Sequence, residues 1–405
     1  MSLTDTEKRT LRALAYKLSE LAEADIEAKS KEKWIRHNTL KPGRPLFLAD
    51  QMPWNELDFE PPCIEDKYWR VVENWMRKTI WRKTKLKTDL VVDPYIVLPA
   101  IYDSTPCGIP TKSKVVMLDP KNDVVSQHME CQINEPEDIE KIQIPIITPN
   151  PVRSAEIAEL ADELFHDIMP WRFAHGSLHL GIWDSISFCM GVENAYIEIL
   201  DRPEMMHALM QRYVKAYMTR IEQLNKYKLY LPGSTLTHCS HNYMPDDDLD
   251  GDAVTQNGWA FGMAQLFTSV SPAVTKEFEV DYVKELFKQF KYIYYGCCDR
   301  LDDRMEIVCT LPNVRKLSCS PWSNRDIFAE KLPKSIIMSN KPNPAFLADD
   351  VFDEDKVRAD LRHTIDAARK NGKQLEMILK DISTVKYKPE NLVRYCEIAM
   401  EEAER

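Results

Sequence analysis

In the last third of this 405-residue chain, short apolar segments end repeatedly in side chains that can bind metal or carry protons. Ile293–Tyr295 leads through Gly296 into Cys297, Cys298 and Asp299, and Val314–Leu317 leads into Ser318 and Cys319. Ser335–Met338 leads into Ser339, Asn340 and Lys341, and Met377–Leu379 leads into Lys380 and Asp381. An earlier segment ends in His238, Cys239, Ser240 and His241. A thiolate at Cys297 suits a metal or a bound cofactor, while two adjacent cysteines suit a buried strand end equally well. His238 and Cys239, joined by Cys297 or Cys319, would supply the three protein ligands of an open zinc site whose fourth position takes substrate. No H-x-C or C-x-x-C spacing accompanies them, so zinc stays one option. Asn340 and Lys341, stiffened by Pro342-Asn343-Pro344, either donate to a ligand or form a turn. His175 and His179 sit among Trp171, Phe173 and Trp183 and read as satisfied core histidines. Asp246–Gly251 matches the opening of a calcium loop, but Asn257 fills its twelfth position, and a solvated acidic loop accounts for it.

Strand, reactive tip, helix, strand is the order of a parallel α/β fold whose site collects side chains at strand C-termini. Apolar residues recur at helical spacing from Leu11 to Ala22, a second helical piece covers about Ile26–His37, and Pro42-Gly43-Arg44-Pro45 ends it. Residues 1–44 thus read as an N-terminal helical extension. From residue 45 to 405 about eight strand-like segments alternate with helices, which predicts a closed (β/α)8 TIM barrel. Lys114–Leu118, the turn Asp119–Asp123 and Val124–Ser126 predict a β-hairpin insertion spanning about 114–133.

Composition excludes several classes. The net charge of −11, without a basic run, argues against nucleic acid as partner. No apolar run reaches the roughly 18 residues of a membrane span. Met1–Arg9 has no apolar signal core, from which a cytoplasmic protein is expected. The 10 cysteines are scattered, as reduced intracellular thiols are. Only 11 glycines occur, and they form neither G-x-G-x-x-G nor G-x-x-x-x-G-K-[ST], so a phosphate-cradling nucleotide fold is disfavoured.

The order Tyr292–Asp299, Val314–Trp322, Ser335–Pro344, Glu376–Lys380 and Pro389–Leu392 resembles the uroporphyrinogen decarboxylase superfamily. Gln265–Pro272 is similar to the family's Ser-Pro segment before its H-x-C strand, and the resemblance runs from about Arg44 to the C-terminus. It implies a β/α barrel that is either a decarboxylase or a corrinoid-dependent methyltransferase of anaerobic metabolism. Ala49–Trp54 stands where decarboxylases carry the arginines that grip porphyrinogen carboxylates, and it has none. Zinc-dependent members carry H-x-C at this strand; here Cys297 is present, but Tyr295 replaces the histidine, and no cysteine occurs at Lys380–Ser383. What the resemblance then implies is transfer of a methyl group from a small methylated substrate, such as an aryl methyl ether in O-demethylation, to cobalamin on a partner corrinoid protein. His241 and Tyr295 become candidate proton donors; His238, Cys239, Cys297 and Cys319 candidate zinc or cofactor contacts. Trp54, Trp171, Trp183, Trp259 and Asn340 become candidate substrate contacts. A decarboxylase acting on fewer carboxylates and a non-catalytic barrel that binds a corrinoid protein are the alternatives. A homodimer is compatible with the sequence.

Overall fold

The computed structural model describes residues 3–117, 126–231, 235–245 and 252–405. Seven parallel strands form its main sheet: β1 (Leu46–Ala49), β2 (Leu178–His179), β3 (Trp259–Gly262), β4 (Tyr292–Tyr295), β5 (Val314–Cys319), β6 (Ile337–Asn340) and β7 (Leu375–Leu379). Their order is β1-β7-β6-β5-β4-β3-β2. Each strand from β3 onward therefore lies beside its predecessor, and β7 returns to β1. Among the described residues no ladder joins β1 to β2. The closed eight-stranded barrel expected from the sequence is thus corrected to a curled seven-stranded sheet with one open seam.

The seam has a local cause. Between β1 and β2 the chain forms a separate parallel pair, Ile96–Pro99 with Trp171–Ala174. Ile96 and Leu98 bury themselves with Leu11, Leu18, Trp69, Val72, Leu164 and Phe165 in a second apolar core. That core is built on α1 (Asp5–Glu27), α3 (Lys67–Lys85) and the helix Pro151–Phe165. A strand whose apolar side is satisfied there does not complete the main ladder. The first helix is capped by Thr4 and Glu7 in a reciprocal capping box, and its stripe Leu11, Ala15, Leu18 and Ala22 is buried. Helix α2 (Ser30–Asn38) follows it, in the region expected to be a helical extension.

Of the expected hairpin, Ser113–Val116 and Ser126–Met129 pair antiparallel, while its turn, Asp119–Asp123, lies outside the described residues, as does the acidic segment Asp246–Gly251. All 10 cysteines are free thiols. Among the described residues no helix is long and apolar enough to cross a membrane.

Side chains alternate across each strand. Ile293, Tyr295, Leu317, Cys319, Met338, Met377 and Leu379 point outward into the main core, which also holds Leu361, Ile365 and Leu392 of the surrounding helices. Their neighbours Tyr294, Lys316, Ser318, Ser339, Glu376 and Lys380 point inward and are polar yet buried. The inner space also receives a short antiparallel hairpin, Leu236–Thr237 with Ser240–His241. At its heart Lys316 Nζ lies 2.9 Å from Glu376 Oε2 and donates to Ser240 Oγ at 2.6 Å and to the His241 carbonyl at 2.8 Å. His37 of α2 reaches the same carboxylate, Nε2 to Oε2 at 3.2 Å. Burial works to raise the Glu376 carboxyl, but Lys316 and His37 outweigh it and hold it well below the usual carboxylate range.

Removing one partner of such a pair leaves the other charge buried and uncompensated, at a cost of about 3–5 kcal/mol. Glu376→Gln is therefore expected to lower the unfolding free energy by about that amount in denaturant titration. The double replacement Lys316→Met with Glu376→Leu should cost clearly less; equal losses would show that the charges themselves do not matter.

Candidate functional site

The C-terminal ends of β4, β6 and β7 bring the reactive side chains together. Gly296, at φ +88°, turns the chain out of β4 where an added Cβ would stand 2.7 Å from Leu301 and 3.1 Å from Ser318, so a larger residue there is excluded. The turn is fixed by Asp299 Oδ1, which accepts from the Cys297 amide at 2.6 Å, and by Ser318 Oγ, which donates to the Cys297 carbonyl at 2.6 Å.

Cys297 Sγ then lies 3.7 Å from Cys298 Sγ and accepts from Lys380 Nζ at 3.2 Å. Lys380 also pairs with Asp381 at 2.9 Å, and the Cys298 thiol donates to the same carboxylate at 2.8 Å. The Cys298 contact, followed by the Lys380 charge, brings the Cys297 thiol below its ordinary value against the opposing effect of burial. A thiolate beside an ammonium is the reactive form of cysteine, both as nucleophile and as metal ligand. Among the described residues, Cys297, Cys298 and Asp381 are the one set of three such groups whose ligand atoms lie within 4.8 Å of one another. Two sulfurs and one oxygen suit zinc or a similar soft divalent cation and leave a fourth position open.

One layer deeper, Lys341 Nζ donates to the Tyr294 hydroxyl and, at 3.2 Å, to Ser339 Oγ. Tyr294 in turn donates to Ser339 at 2.6 Å. Burial, then the nearby Lys380 charge, pushes the Lys341 ammonium down to about 8. A lysine with that value exchanges its proton near neutral pH. Over this layer sits the tip of the inner hairpin, His238 and Cys239, both non-glycine residues at positive φ (46° and 66°). Positive φ at both loop residues is what a two-residue type I′ hairpin turn requires, here met without glycine. The His238 ring stacks on Phe261 at 3.8 Å and meets Tyr294 edge-on at 5.0 Å. Its Nε2 is buried with no hydrogen-bond partner. Burial and the charges of Lys341 and Lys380 keep this imidazole neutral, well below its usual value.

The structure divides the residues singled out from sequence. His238, Cys239 and Cys297 all belong to the inner end just described, although His238 and Cys239 fall outside the close donor set. Cys319 and Tyr295 point the other way, into the helix-facing core, where the Tyr295 hydroxyl donates to buried Glu279 at 3.3 Å. Asn340 donates to the Cys319 carbonyl at 3.2 Å. His241 uses both ring nitrogens on backbone, Nε2 accepting from Val91 N–H at 3.0 Å and Nδ1 facing the Thr235 carbonyl at 3.1 Å. Burial pushes its ring down to about 3. Trp54 packs on Phe59 and Trp81 near the seam, and Trp259 stands at the opposite, N-terminal end of β3 beside Tyr292. Trp171 donates to Asp162 in the outer layer, and Trp183 donates to the Phe278 carbonyl in the main core. Tyr294 was missed as a functional candidate; Lys380 and Asp381 entered as a reactive strand tip without an assigned role, and Lys341 as a rim residue. A signal for Tyr294 was available: a hydroxyl-bearing side chain at alternate positions, Tyr292 and Tyr294, of one strand.

No protein-family model and no curated protein matches this chain. Among solved structures, a methyltransferase from Methanosarcina mazei matches with a TM-score of 0.53 and 12% sequence identity, over 93% of this chain and 98% of that chain. At that identity the likeness establishes a shared fold.

If the Cys298 contact sustains the Cys297 thiolate, Cys298→Ala should slow alkylation of Cys297 at pH 7 by about tenfold for each pKa unit gained. Lys380→Met should slow it in the same direction. Peptide mass spectrometry after timed iodoacetamide treatment reads both, and unchanged rates would mean that neither neighbour sustains the thiolate.

Proposed function

We propose that this chain is a methyltransferase that takes a methyl group from a small methylated compound, such as an aryl methyl ether, and passes it to a corrinoid carried by a partner protein. The observation that carries this reading is the Cys297 sulfur, set between Cys298 and Lys380 at the C-terminal end of β4. It stands in a chain whose fold is shared with the Methanosarcina mazei methyltransferase. The resemblance to the uroporphyrinogen decarboxylase superfamily places that family's metal-site cysteine at the same strand end. The missing third cysteine has a counterpart, because Asp381 supplies an oxygen at that place.

The corrinoid supplies the nucleophile that accepts the methyl group. This chain's task is to hold the donor in line and to neutralise the charge that grows on the leaving atom. Lys341, held on Tyr294 and Ser339, is the proton donor for a leaving oxygen, and Lys380 favours the ionised form of Cys297 in the layer nearer the strand C-termini. Cys297, Cys298 and Asp381 would hold a zinc ion, whose contribution when bound is Lewis acidity toward the leaving group. A partner docking at this end meets exposed side chains, Trp322 after β5 and Tyr387 after β7.

The test is anaerobic: purified chain, cob(I)alamin, and a panel of aryl methyl ethers, methylamines and methyl thiols, followed by absorbance. Conversion of Co(I) to methylcobalamin with one donor class is expected. Carbon dioxide release without a cobalt requirement would put a decarboxylase in its place, and binding of a corrinoid protein without turnover would leave a binding barrel. Lys341→Met should reduce the rate by about 100-fold or more for donors with basic leaving oxygens. Because Lys341 must carry its proton, the wild-type rate should decline as pH rises through about 8.

A further inference from the structure

The open seam encloses a cavity of about 520 Å³. Its floor is the end of β1, Asp50 and Gln51; one wall is α3; the other is the 90–97 segment with Thr235, Leu236 and His241 of the inner hairpin. The volume is that of a small-molecule pocket. Trp54, Trp75 and Tyr95 form aromatic surface on it, and Leu90, Val92 and Val97 form aliphatic surface.

Its polar groups are few and asymmetric. Lys78 and Arg82 occupy successive turns of α3, four residues apart, and both face the cavity. Like charges at this spacing oppose each other. Lys78 Nζ lies over the Trp54 ring at 4.8 Å. Arg82 is buried and gives Nη2 to the Ala49 carbonyl at 2.8 Å. Asp50 forms an ion pair with that nitrogen at 3.6 Å, while the Arg82 Nε is buried without a hydrogen-bond partner. Of the two acids on the cavity, Asp93 already accepts from the Tyr243 hydroxyl at 2.6 Å. A buried guanidinium N–H left open is costly, and a carboxylate oxygen is its best match. Flat aromatic walls favour a planar body behind that carboxylate.

We infer that the seam cavity is a binding site for a flat, largely apolar molecule bearing one carboxylate, anchored on Arg82. The site goes beyond the methyl-transfer reading and needs neither corrinoid nor methyl donor. The inner hairpin is the partition between the two regions: Leu236 and His241 face the cavity, while His238 at its tip lies against Phe261 and Tyr294.

Isothermal titration calorimetry on the full chain tests this with 2-naphthoate against 2-naphthalenemethanol and 2-naphthylmethylamine. The carboxylate should bind at least about tenfold more tightly than the alcohol or the amine. Arg82→Gln should erase that preference. Because Arg82 also ties α3 to β1, a second variant is needed, and Thr79→Phe, at a half-buried cavity position, should block all binding without touching the anchor. Absence of carboxylate binding, equal binding of the acid and the alcohol, or binding unaffected by Thr79→Phe would each overturn the assignment. A folded Arg82→Gln variant that keeps the preference would do the same.

Discussion

The contact between Lys316 and Glu376 is the interaction around which the rest is arranged. It joins β5 to β7 across the inside of the curled sheet, and through Ser240, the His241 carbonyl and His37 it also fixes the inner hairpin and α2. An isolated charge in that space would be prohibitively costly, and hydrogen bonds to the pair lower the cost of burying it. The inner hairpin and α2 supply such bonds to Lys316 and to Glu376 Oε2, while Glu376 Oε1 is buried without a partner. Helix α2, the hairpin and two strands are thereby tied together at one point.

From that contact toward the strand C-termini the interior changes character in layers. Tyr294, Ser339 and Lys341 follow, linked by hydrogen bonds; then come Cys297, Lys380 and Asp381, linked by charge. Of the three lysines in this narrow space, Lys380 lowers the proton affinity of Lys341, and the acidic partners are unevenly shared. Glu376 belongs to Lys316, and Cys297 with Asp381 belongs to Lys380. Lys341 has only neutral hydroxyls, and it is the lysine that burial brings close to neutral pH. This uneven sharing gives the proposed reaction centre a fixed charge at Lys380, a thiol lowered by it and a mobile proton at Lys341 in successive layers.

Much of this was legible in the sequence. The tips after β4, β5, β6 and β7 were recognisable as strand ends, because each apolar run is short and is followed by a turn or helix signal. The direction in which each tip residue points was not, since a shift of one position moves a side chain to the other face. Cys319 and Tyr295 were therefore picked from the outward set, while Tyr294, one residue away, lies inside. Glu376 in Leu-Glu-Met-Ile-Leu carried the missing information: a carboxylate in a strand buried on both sides needs a partner, and Lys316 in Val-Arg-Lys-Leu-Ser-Cys is a strand lysine that can supply it. The open seam was beyond sequence reading. It accompanies the burial of Ile96 and Leu98 against α1 and α3, which is decided by contacts distant in the sequence.

The adjacent tyrosines of β4 provide the most direct measurement. Single-turnover methyl transfer and thermal unfolding should be compared for Tyr294→Phe and Tyr295→Phe, two identical chemical changes one residue apart. An inward reaction centre predicts that Tyr294→Phe slows transfer by about 100-fold while Tyr295→Phe alters thermal stability and leaves the rate of the folded enzyme intact. Equal rates for the two variants, or a loss confined to Tyr295→Phe, would contradict it.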